Sequence, residues 1–512
     1  MSRLVVVSNR VPVPSAGKAA GGLAVALDGL MEKRGGLWFG WSGEVSEDAA
    51  DQSVKVVHSG GVDYATIDLT PDEHDRYYNN FSNGVLWPLL HTMPELMHYD
   101  RHDARVYGDV NVRLAQLLAG LLHPSDIVWV HDYHLLPLSS ALRGAGVRNP
   151  IGFFLHIPFA SPDILATAPE MTGYVHDLLH ADLIGFQTEN DLTNFANAAE
   201  QLAGAARVLG NTLQVPQPQG GSRRVRLGVF PVEIEPRSFA RMADDMAASP
   251  PVCSLLDSLG NQRLMLGIER LDPTKGLLQR ISGFRTLLEK RPGWRRQLTM
   301  LQIAASSRSD VSSYRALRTA LDREAGALNA DIGEPDWTPL RFITRGVDRS
   351  VAAGYMRAAK VGVVTPLRDG MNLVAKEYVA AQDPEDPGVL VLSRFCGAAQ
   401  QLDAAVMVNP HDSDAMAEAM QTALTMSLVE RQERWQSMWA AIEHRSPLVW
   451  GRSFLTALLQ AASASAATAP ERPSSLTAGT PLGRSALPAG RLTGGRISAG
   501  SNTAVADPRA LN

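Results

Sequence analysis

Short apolar runs alternate with helix-like periodicity through most of the chain, and this alternation predicts parallel α/β sheets. The runs of the first half cover residues 4–7, 127–130, 151–155 and 183–186. Those of the second half cover residues 263–268, 298–303, 340–343, 361–364, 389–392 and 406–408. Residues 36–100 are less regular and rich in aromatic side chains. The pattern therefore predicts two separate series of strands and helices.

Breaks in this pattern predict the domain organisation. We expect an α/β fold with two doubly wound, Rossmann-like domains, at residues 1–235 and 236–445, that face each other across a cleft. A helix at 446–462 is expected to cross back onto the first domain. Residues 463–512 are rich in Ala, Ser, Pro and Gly, a composition typical of a disordered tail. Ligands of such sheets bind beyond the carboxyl ends of the strands, which here means in the cleft.

Composition excludes several classes of protein. A chain of 512 residues is too long for one core, and a net charge of −5 gives no reason to expect nucleic acid or membrane as a partner. No apolar run is long enough to span a membrane, and the N-terminal run is interpreted as a strand, not a signal peptide. The only two cysteines, Cys253 and Cys396, suit a reducing compartment. We expect a cytoplasmic protein.

The most informative stretch runs from the strand at 361–364 through a short Arg-Asp-Gly turn into a helix that begins near Met371. The free N–H groups at such a helix start attract phosphate. Glu377 lies too far into the helix to cap it, so its carboxylate can bind the hydroxyls of a sugar. The stretch is interpreted as a nucleotide site, and the alternative is an ordinary turn with a solvated glutamate.

Two cations follow another predicted strand of the second domain. Arg270 and Lys275 are five residues apart on a loop and could converge on one anion. A diphosphate leaving group gains negative charge as its bond to a sugar breaks, and preorganised cations stabilise that charge. The alternative is a solvated helix start. Two anion-binding turns at one sheet edge favour a single nucleotide diphosphate.

Polar residues also follow two strands of the first domain. Asp132 and His156 are the candidates for contact with a sugar hydroxyl, whereas His131 and His134 are expected to orient their loop. A His-x-x-His pair can indicate metal, but no third ligand stands at a zinc-like spacing, so no metal is expected.

Further anion contacts are predicted at the first strand and in the second domain. Arg10 follows the first strand, and Gly21 and Gly22 precede a helix where backbone can approach a ligand closely. Arg308 could meet Arg10 across the cleft on a second anion, since arginine suits phosphate. The dinucleotide fingerprint and the P-loop motif are both absent from the sequence, which argues against a dehydrogenase or a kinase.

Several long motifs together resemble the trehalose-6-phosphate synthase family. They begin at Val5 (VVVSNR), Leu37 (LWFGWSG), Phe81 (FSN), Leu86 (LWP), His131 (HDYHLLP), Phe153 (FFLHIPF), Gly185 (GFQTEN) and Thr365 (TPLRDGMNLVAKEY). The resemblance covers about residues 3–455. It implies a GT-B fold and retaining transfer of glucose from a nucleotide sugar, usually UDP-glucose, to glucose 6-phosphate. The product would be α,α-trehalose 6-phosphate.

The resemblance also implies a role for each matching residue. The first domain would bind the acceptor and the second the nucleotide sugar. Catalytic roles fall to Arg270, Lys275, Asp369, His156 and Asp132. The implied donor-binding residues are Gly21, Gly22, Arg270, Lys275, Val347, Asp369, Met371, Asn372, Leu373, Val374, Ala375, Lys376 and Glu377. The implied acceptor-binding residues are Arg10, Trp41, Tyr78, Trp87, Asp132 and Arg308.

The family further implies no metal or other cofactor, a homo-oligomer (dimer or tetramer), and a separate phosphatase that acts downstream on trehalose 6-phosphate. Pro273, Ala305, Glu233 and Val347 depart from the usual family residues, and Pro273 and Val347 leave the choice of nucleotide base open among UDP, ADP and GDP. Two alternatives remain. One is a glucosylglycerol-phosphate synthase, which uses glycerol 3-phosphate as acceptor, and the other is a catalytically silent sensor of sugar phosphate.

Overall fold

Two β-sheets form the centre of the protein, and each predicted apolar run forms a strand in one of them. The structure is a computed structural model that describes residues 2–14, 22–47, 53–217, 220–308 and 311–467. Gly21 and most of the predicted tail lie outside these ranges. No helix within them is long and apolar enough to cross a bilayer.

The first sheet has ten strands in the order β3-β4-β2-β1-β5-β6-β7-β10-β9-β8. Its strands are β1 Leu4–Arg10, β2 Gly36–Val45, β3 Lys55–Ser59, β4 Val62–Leu69, β5 Ile127–His131, β6 Ile151–Phe154, β7 Leu183–Phe186, β8 Ala206–Val208, β9 Thr212–Pro216 and β10 Ser222–Val229. The pairs from β4 through β1 to β7 and β10 are parallel, and antiparallel hairpins add β3, β9 and β8 at the edges.

The second sheet has six parallel strands in the order β13-β12-β11-β14-β15-β16. They are β11 Arg263–Arg270, β12 Leu298–Ala305, β13 Leu340–Ile343, β14 Val361–Val364, β15 Val389–Ser393 and β16 Val406–Val408. This is the strand order of a dinucleotide-binding sheet. All six strands are parallel, but the order in which they are added along the sheet reverses between β11 and β14.

Helices cover both faces of the sheets, as doubly wound folds require. Those of the first domain are α1 Gly22–Arg34, α2 Pro71–Glu73, α3 Trp87–Leu90, α4 Arg101–Ala119, α5 Leu138–Gly144, α6 Pro162–Leu165, α7 Met171–Leu178 and α8 Glu189–Ala203. A π-helix at His74–Leu86 joins α2 to α3. The remaining helices are α9 Pro236–Met246, α10 Pro250–Leu259, α11 Leu277–Lys290, α12 Ser312–Ile332, α13 Arg349–Ala358, α14 Leu373–Ala381, α15 Ser413–Thr425, α16 Leu428–Ile442 and α17 Pro447–Ala467.

Helix α17 returns to the first domain and completes its core. Phe454 is fully buried, and its ring stacks on Trp129 of β5 with the centroids 4.5 Å apart. A Cβ built at Gly152 or Gly185 would lie 2.7 Å from the Phe454 ring, so glycine on β6 and β7 makes room for this helix. The crossover predicted from sequence is present.

The predicted start of the disordered tail at residue 463 is wrong. Helix α17 continues to Ala467, and the Ser463 hydroxyl donates to the carbonyl of Leu459 at 2.9 Å. Alanine has the highest helix propensity, and the alanine-rich sequence here extends the last turns. The rest of the predicted tail lies outside the described residues.

Candidate active site

Both sheets place polar side chains at the point where their strand order reverses. In the second sheet this point lies between β11 and β14. Strand β11 ends at Arg270, and β14 ends directly before Thr365. In the first sheet it lies between β1 and β5, which end at Arg10 and His131. Such switch points form the ligand crevice of doubly wound sheets.

The loop after β11 is organised by a buried aspartate that sequence reasoning did not single out. Asp272 accepts from the N–H and hydroxyl of Thr274 at 3.0 and 2.8 Å and from the Tyr314 hydroxyl at 3.0 Å. Burial acts to raise the pKa of Asp272, but the charges of Lys275, Arg308 and Arg270 outweigh it and hold the pKa below its ordinary value. A buried carboxylate therefore orders the loop that carries the predicted cations. Its only sequence signal is its position before the turn.

The two predicted anion-binding turns meet through an ion pair. The Nζ of Lys275 lies 2.5 Å from Oδ2 of Asp369, and both side chains are largely buried. Asp369 also accepts from the Nδ2 of Asn372 at 3.1 Å. The Arg270 side chain is exposed, and no hydrogen bond within the described residues holds its guanidinium. Arg270 is thus free to bind an anion beside the Lys275–Asp369 pair.

Helix α14 presents donors at its N-terminus. Asn372, with φ +73°, caps the helix by accepting from the N–H of Ala375 at 3.2 Å. The N–H groups of Leu373 and Val374 have no hydrogen-bond partner among the described residues. Free N–H groups at a helix start can bind phosphate, which is the role predicted for this turn.

Glu377 is not the solvated glutamate of the alternative interpretation. Its side chain is 17% exposed and accepts from Arg349 at 2.9 and 3.2 Å. Burial raises the pKa of Glu377, and the Arg349 charge opposes that rise. Arg349 was not predicted, because it is 28 residues away in the sequence.

Three of the predicted donor-binding residues direct their side chains elsewhere. Met371 and Ala375 are buried in the core of the second domain. The fully buried Nζ of Lys376 donates to the carbonyl of Val232 at 2.8 Å and pairs with Glu233 at 2.7 Å. These residues can offer a donor only their backbone, because their side chains are buried in the core or paired with Glu233. Their predicted part in donor binding stays a prediction, and it would be made through the backbone.

Three other residues were predicted to contact the donor, and the structure gives less detail on them. Val347 is half-buried in the loop before α13 and packs against the core of the second domain. Gly22 begins α1, and Gly21 lies outside the described residues. Their roles stay predictions.

In the first domain, Asp132 and His156 lie together as predicted. Asp132 accepts from the N–H of His156 at 3.2 Å, and burial raises its pKa to about 6. The imidazoles of His131 and His156 share a hydrogen bond of 3.0 Å, and burial lowers the pKa of His156 to about 3. His156 is thus neutral, and its hydrogen bond to His131 orients its ring. Sequence alone does not predict this hydrogen bond.

The predicted acceptor residues form a connected aromatic wall. Trp41 and Tyr78 have ring centroids 5.4 Å apart, and Tyr78 stacks on His134 at 5.9 Å. Arg308 from the second domain lies over the ring of Trp87, 4.0 Å from its centroid. Arg10, on the strand beside Trp41, stands at the other end of this wall.

Arg10 and Arg308 contact different residues of this wall, and their predicted meeting on a second anion stays a prediction. The Arg10 guanidinium packs against Gly43, where a built Cβ would lie 2.6 Å from its Nε. Arg308 donates to the hydroxyls of Tyr314 at 2.7 Å and Tyr133 at 3.0 Å. Arg308 donates to two aromatic hydroxyls and lies over the Trp87 ring, whereas Arg10 is in register with Trp41.

The two halves of the site touch directly. A Cβ built at Gly370 would lie 2.3 Å from the carbonyl oxygen of His156, so the Arg-Asp-Gly turn rests on the first domain's backbone. Arg368 of this turn lies 4.0 Å from Asp191 of α8. Within the described ranges, no group of three or more His, Cys, Asp or Glu is placed to hold a metal ion.

Comparison with known proteins places this arrangement in a family. Residues 2–460 match the model of glycosyltransferase family 20. This chain belongs to glycosyltransferase family 20. The match covers both sheets and most of α17, so the expected GT-B fold is confirmed.

Individual members of family 20 agree with this assignment. A trehalose-6-phosphate synthase of Sinorhizobium fredii is 45% identical over 461 residues, which are 90% of this chain and 98% of the relative. The crystal structure of a UDP-forming α,α-trehalose-phosphate synthase from Burkholderia xenovorans in complex with glucose 6-phosphate is 44% identical. It has a TM-score of 0.84 and covers 90% of this chain and 100% of that chain. An E. coli structure described as bound with UDP-2-fluoro glucose is 44% identical, with a TM-score of 0.84 and coverage of 90% and 99%.

Proposed function

We propose that this family 20 enzyme is a UDP-forming α,α-trehalose-phosphate synthase that moves glucose from UDP-glucose to glucose 6-phosphate. One observation carries the proposal: the Arg-Asp-Gly turn of the second domain rests against His156 of the first, so donor and acceptor groups share one crevice. The relatives that match over nine-tenths of the chain carry this activity in their names.

The donor half suits a nucleoside diphosphate sugar. Arg270, Lys275 and the free N–H groups of Leu373 and Val374 can hold the diphosphate, and Glu377 can accept from the ribose. As the bond between the glucose C1 and the phosphate oxygen breaks, these donors stabilise the charge that develops on the diphosphate. We propose that they make a metal ion unnecessary.

The acceptor half suits a hexose phosphate. Asp132 and His156 can contact sugar hydroxyls, and Arg10, Tyr78, Trp87 and Arg308 can surround the phosphate and ring. The acceptor hydroxyl forms the new bond to C1, and its proton passes to the departing phosphate oxygen. Attack and departure on the same face retain the configuration, so the product is α,α-trehalose 6-phosphate.

The remaining parts of the proposal concern the cellular setting. Free thiols at Cys253 and Cys396 suit a reducing cytoplasm. The family resemblance supports a homo-oligomer, dimer or tetramer, and a separate phosphatase that consumes the product. Size-exclusion chromatography with light scattering tests the oligomeric state.

Nucleotide release by the purified protein tests the activity. UDP-, ADP- and GDP-glucose are each offered with glucose 6-phosphate or glycerol 3-phosphate, in the presence of EDTA. We expect UDP release that depends on glucose 6-phosphate. Release with glycerol 3-phosphate would indicate a glucosylglycerol-phosphate synthase, no release with any pair would favour a silent sensor, and inhibition by EDTA would contradict metal independence.

Arg270→Ala tests the position of the donor diphosphate. Removal of one preorganised donor from developing charge typically lowers kcat about 100- to 1,000-fold, and we expect that loss here with an unchanged unfolding midpoint. Arg318→Ala is the matched control, because Arg318 is an exposed arginine of the same domain paired with Asp322. Near-normal turnover of the Arg270 variant would contradict the placement.

A further inference from the structure

Arg349 holds one oxygen of the Glu377 carboxylate and leaves the other free. It lies in the first turn of α13, and its Nη2 and Nε both donate to Oε1 of Glu377, at 2.9 and 3.2 Å. No hydrogen bond to Oε2 of Glu377 occurs among the described residues. An ionised carboxylate is an acceptor only, so the free Oε2 requires a donor from outside the protein or from water.

A third helix fixes the orientation of the arginine. The Cζ of Arg349 lies over the ring of Phe239, 5.2 Å from its centroid, and Phe239 is buried at 2% exposure in α9. The Phe239 ring thus fixes the plane of the Arg349 guanidinium, and the hydrogen bonds to Glu377 fix the direction in which its edge points. Lysine cannot reproduce this arrangement, because a single ammonium neither stacks as a plane nor donates through a fork.

The pair is poorly placed to serve stability alone. The Arg349 side chain is 46% exposed, and exposed ion pairs contribute little to folding. Its partner, in contrast, is mostly buried and sits one turn beyond the free N–H groups of α14. The geometry favours a role in the site.

We propose that Arg349 is a positioning residue that fixes the Glu377 carboxylate to accept from the ribose hydroxyls of the donor, and so makes the enzyme select ribonucleotide over 2′-deoxyribonucleotide sugars. The inference rests on the proposed function and extends it to a determinant of donor selectivity. Two free lone pairs on a fixed oxygen match two vicinal hydroxyls, and a 2′-deoxy donor would leave one of them unpaired.

The test compares UDP-glucose with 2′-deoxy-UDP-glucose in wild type, Arg349→Gln and Arg349→Lys. In Arg349→Gln we expect the KM for UDP-glucose to rise about 10-fold and the ratio of kcat/KM for the two donors to fall toward one. The KM for glucose 6-phosphate should not change, and Arg349→Lys should recover only part of the ratio. Arg341→Gln is the matched control, since Arg341 is an arginine of the same domain that donates hydrogen bonds to Ser258 and not to Glu377.

A second readout is the pH dependence of donor binding. The Arg349 charge opposes the burial that raises the pKa of Glu377, so its loss should raise that pKa further. The KM of Arg349→Gln for UDP-glucose should therefore rise more steeply than that of the wild type as the pH falls. A merely structural role would not produce this change.

One outcome would overturn the proposal: a donor ratio that is unchanged in Arg349→Gln, whether or not the activity with both donors falls equally. If the wild type turns over no sugar nucleotide, the proposed function fails separately. Calorimetric binding of UDP and 2′-deoxy-UDP to the same variants then tests Arg349 alone, with the same expected loss of preference.

Discussion

Asp132 combines a strained backbone with a buried carboxylate. Its φ and ψ are +76° and 170°, a region that is almost restricted to glycine, and non-glycine residues kept there are usually held for function. Its side chain accepts from the N–H of His156, and burial raises its pKa to about 6. The strain and the burial both destabilise the folded protein at neutral pH.

The pH dependence of Asp132→Asn follows from the raised pKa. A carboxyl whose pKa is raised on folding stabilises the protein below its unfolded pKa of about 3.9, and this contribution is lost as pH rises through about 6. Asp132→Asn should thus raise the unfolding temperature more at pH 8 than at pH 4.5. Its kcat/KM should be low and should lack the rise between pH 5 and 7 that ionisation of Asp132 gives the wild type.

Thermal unfolding and pH–rate profiles of the two proteins check this expectation. Asp322→Asn, an exposed carboxylate on α12, is the control and should show neither effect. An equal gain in unfolding temperature at both pH values would contradict the assignment of the raised pKa.

Sequence reasoning located many site residues but few of their partners. Asp132, His156 and Asp369 follow strands and Glu377 lies early in a helix, and such positions can be recognised from local pattern. The pairings of His156 with His131 and of Glu377 with Arg349 join segments far apart in the chain. Sequence spacing holds no information on those contacts, nor on the buried ion pair between Lys376 and Glu233.

At the scale of elements, the strands were the most predictable part of the fold. All six strands of the second sheet coincide with apolar runs because both faces of a parallel sheet are buried. The π-helix and the strands β2 to β4 were not predicted. Their aromatic residues pack into the core of the first domain, so tertiary contacts, not local periodicity, decide the backbone there.

Helix α17 offers a prediction at the same scale. Phe454→Ala should lower the free energy of unfolding by about 3–5 kcal/mol, because it removes a fully buried ring from contact with β5, β6 and β7. Leu459→Ala is the control, since Leu459 lies on the same helix with 43% exposure and should cost less than about 0.5 kcal/mol. Denaturant unfolding measures both, and similar midpoints for the two variants would contradict this role of the helix.

At the scale of the whole molecule, Gly370 determines how closely the domains approach. A methyl group at this position would lie 2.3 Å from the carbonyl oxygen of His156 and 3.0 Å from the Cα of Ile157, both in the first domain. Because this collision is with the facing domain, Gly370→Ala should lower kcat about 100-fold by increasing the distance between donor and acceptor, with little change in the unfolding temperature.

Steady-state kinetics and thermal unfolding test Gly370→Ala together. Gly293→Ala is the matched control, because a Cβ at Gly293 would meet no atom within 4 Å. A large fall in unfolding temperature for Gly370→Ala would show that the turn supports folding and not the approach of the domains. This contact joins residues of the two domains, and neither domain's sequence pattern could have predicted it.

The return of α17 also sets the order in which the chain can mature on the ribosome. One face of the first sheet, including Trp129 and Phe154, is covered by residues that follow the entire second domain. At about 5–20 residues per second, some 220 residues separate Phe230 from Trp450, a delay of roughly 10–45 s. During that time the nascent first domain exposes an aromatic surface to the cell. From this topology we expect chaperones to bind the nascent chain at this stage of synthesis.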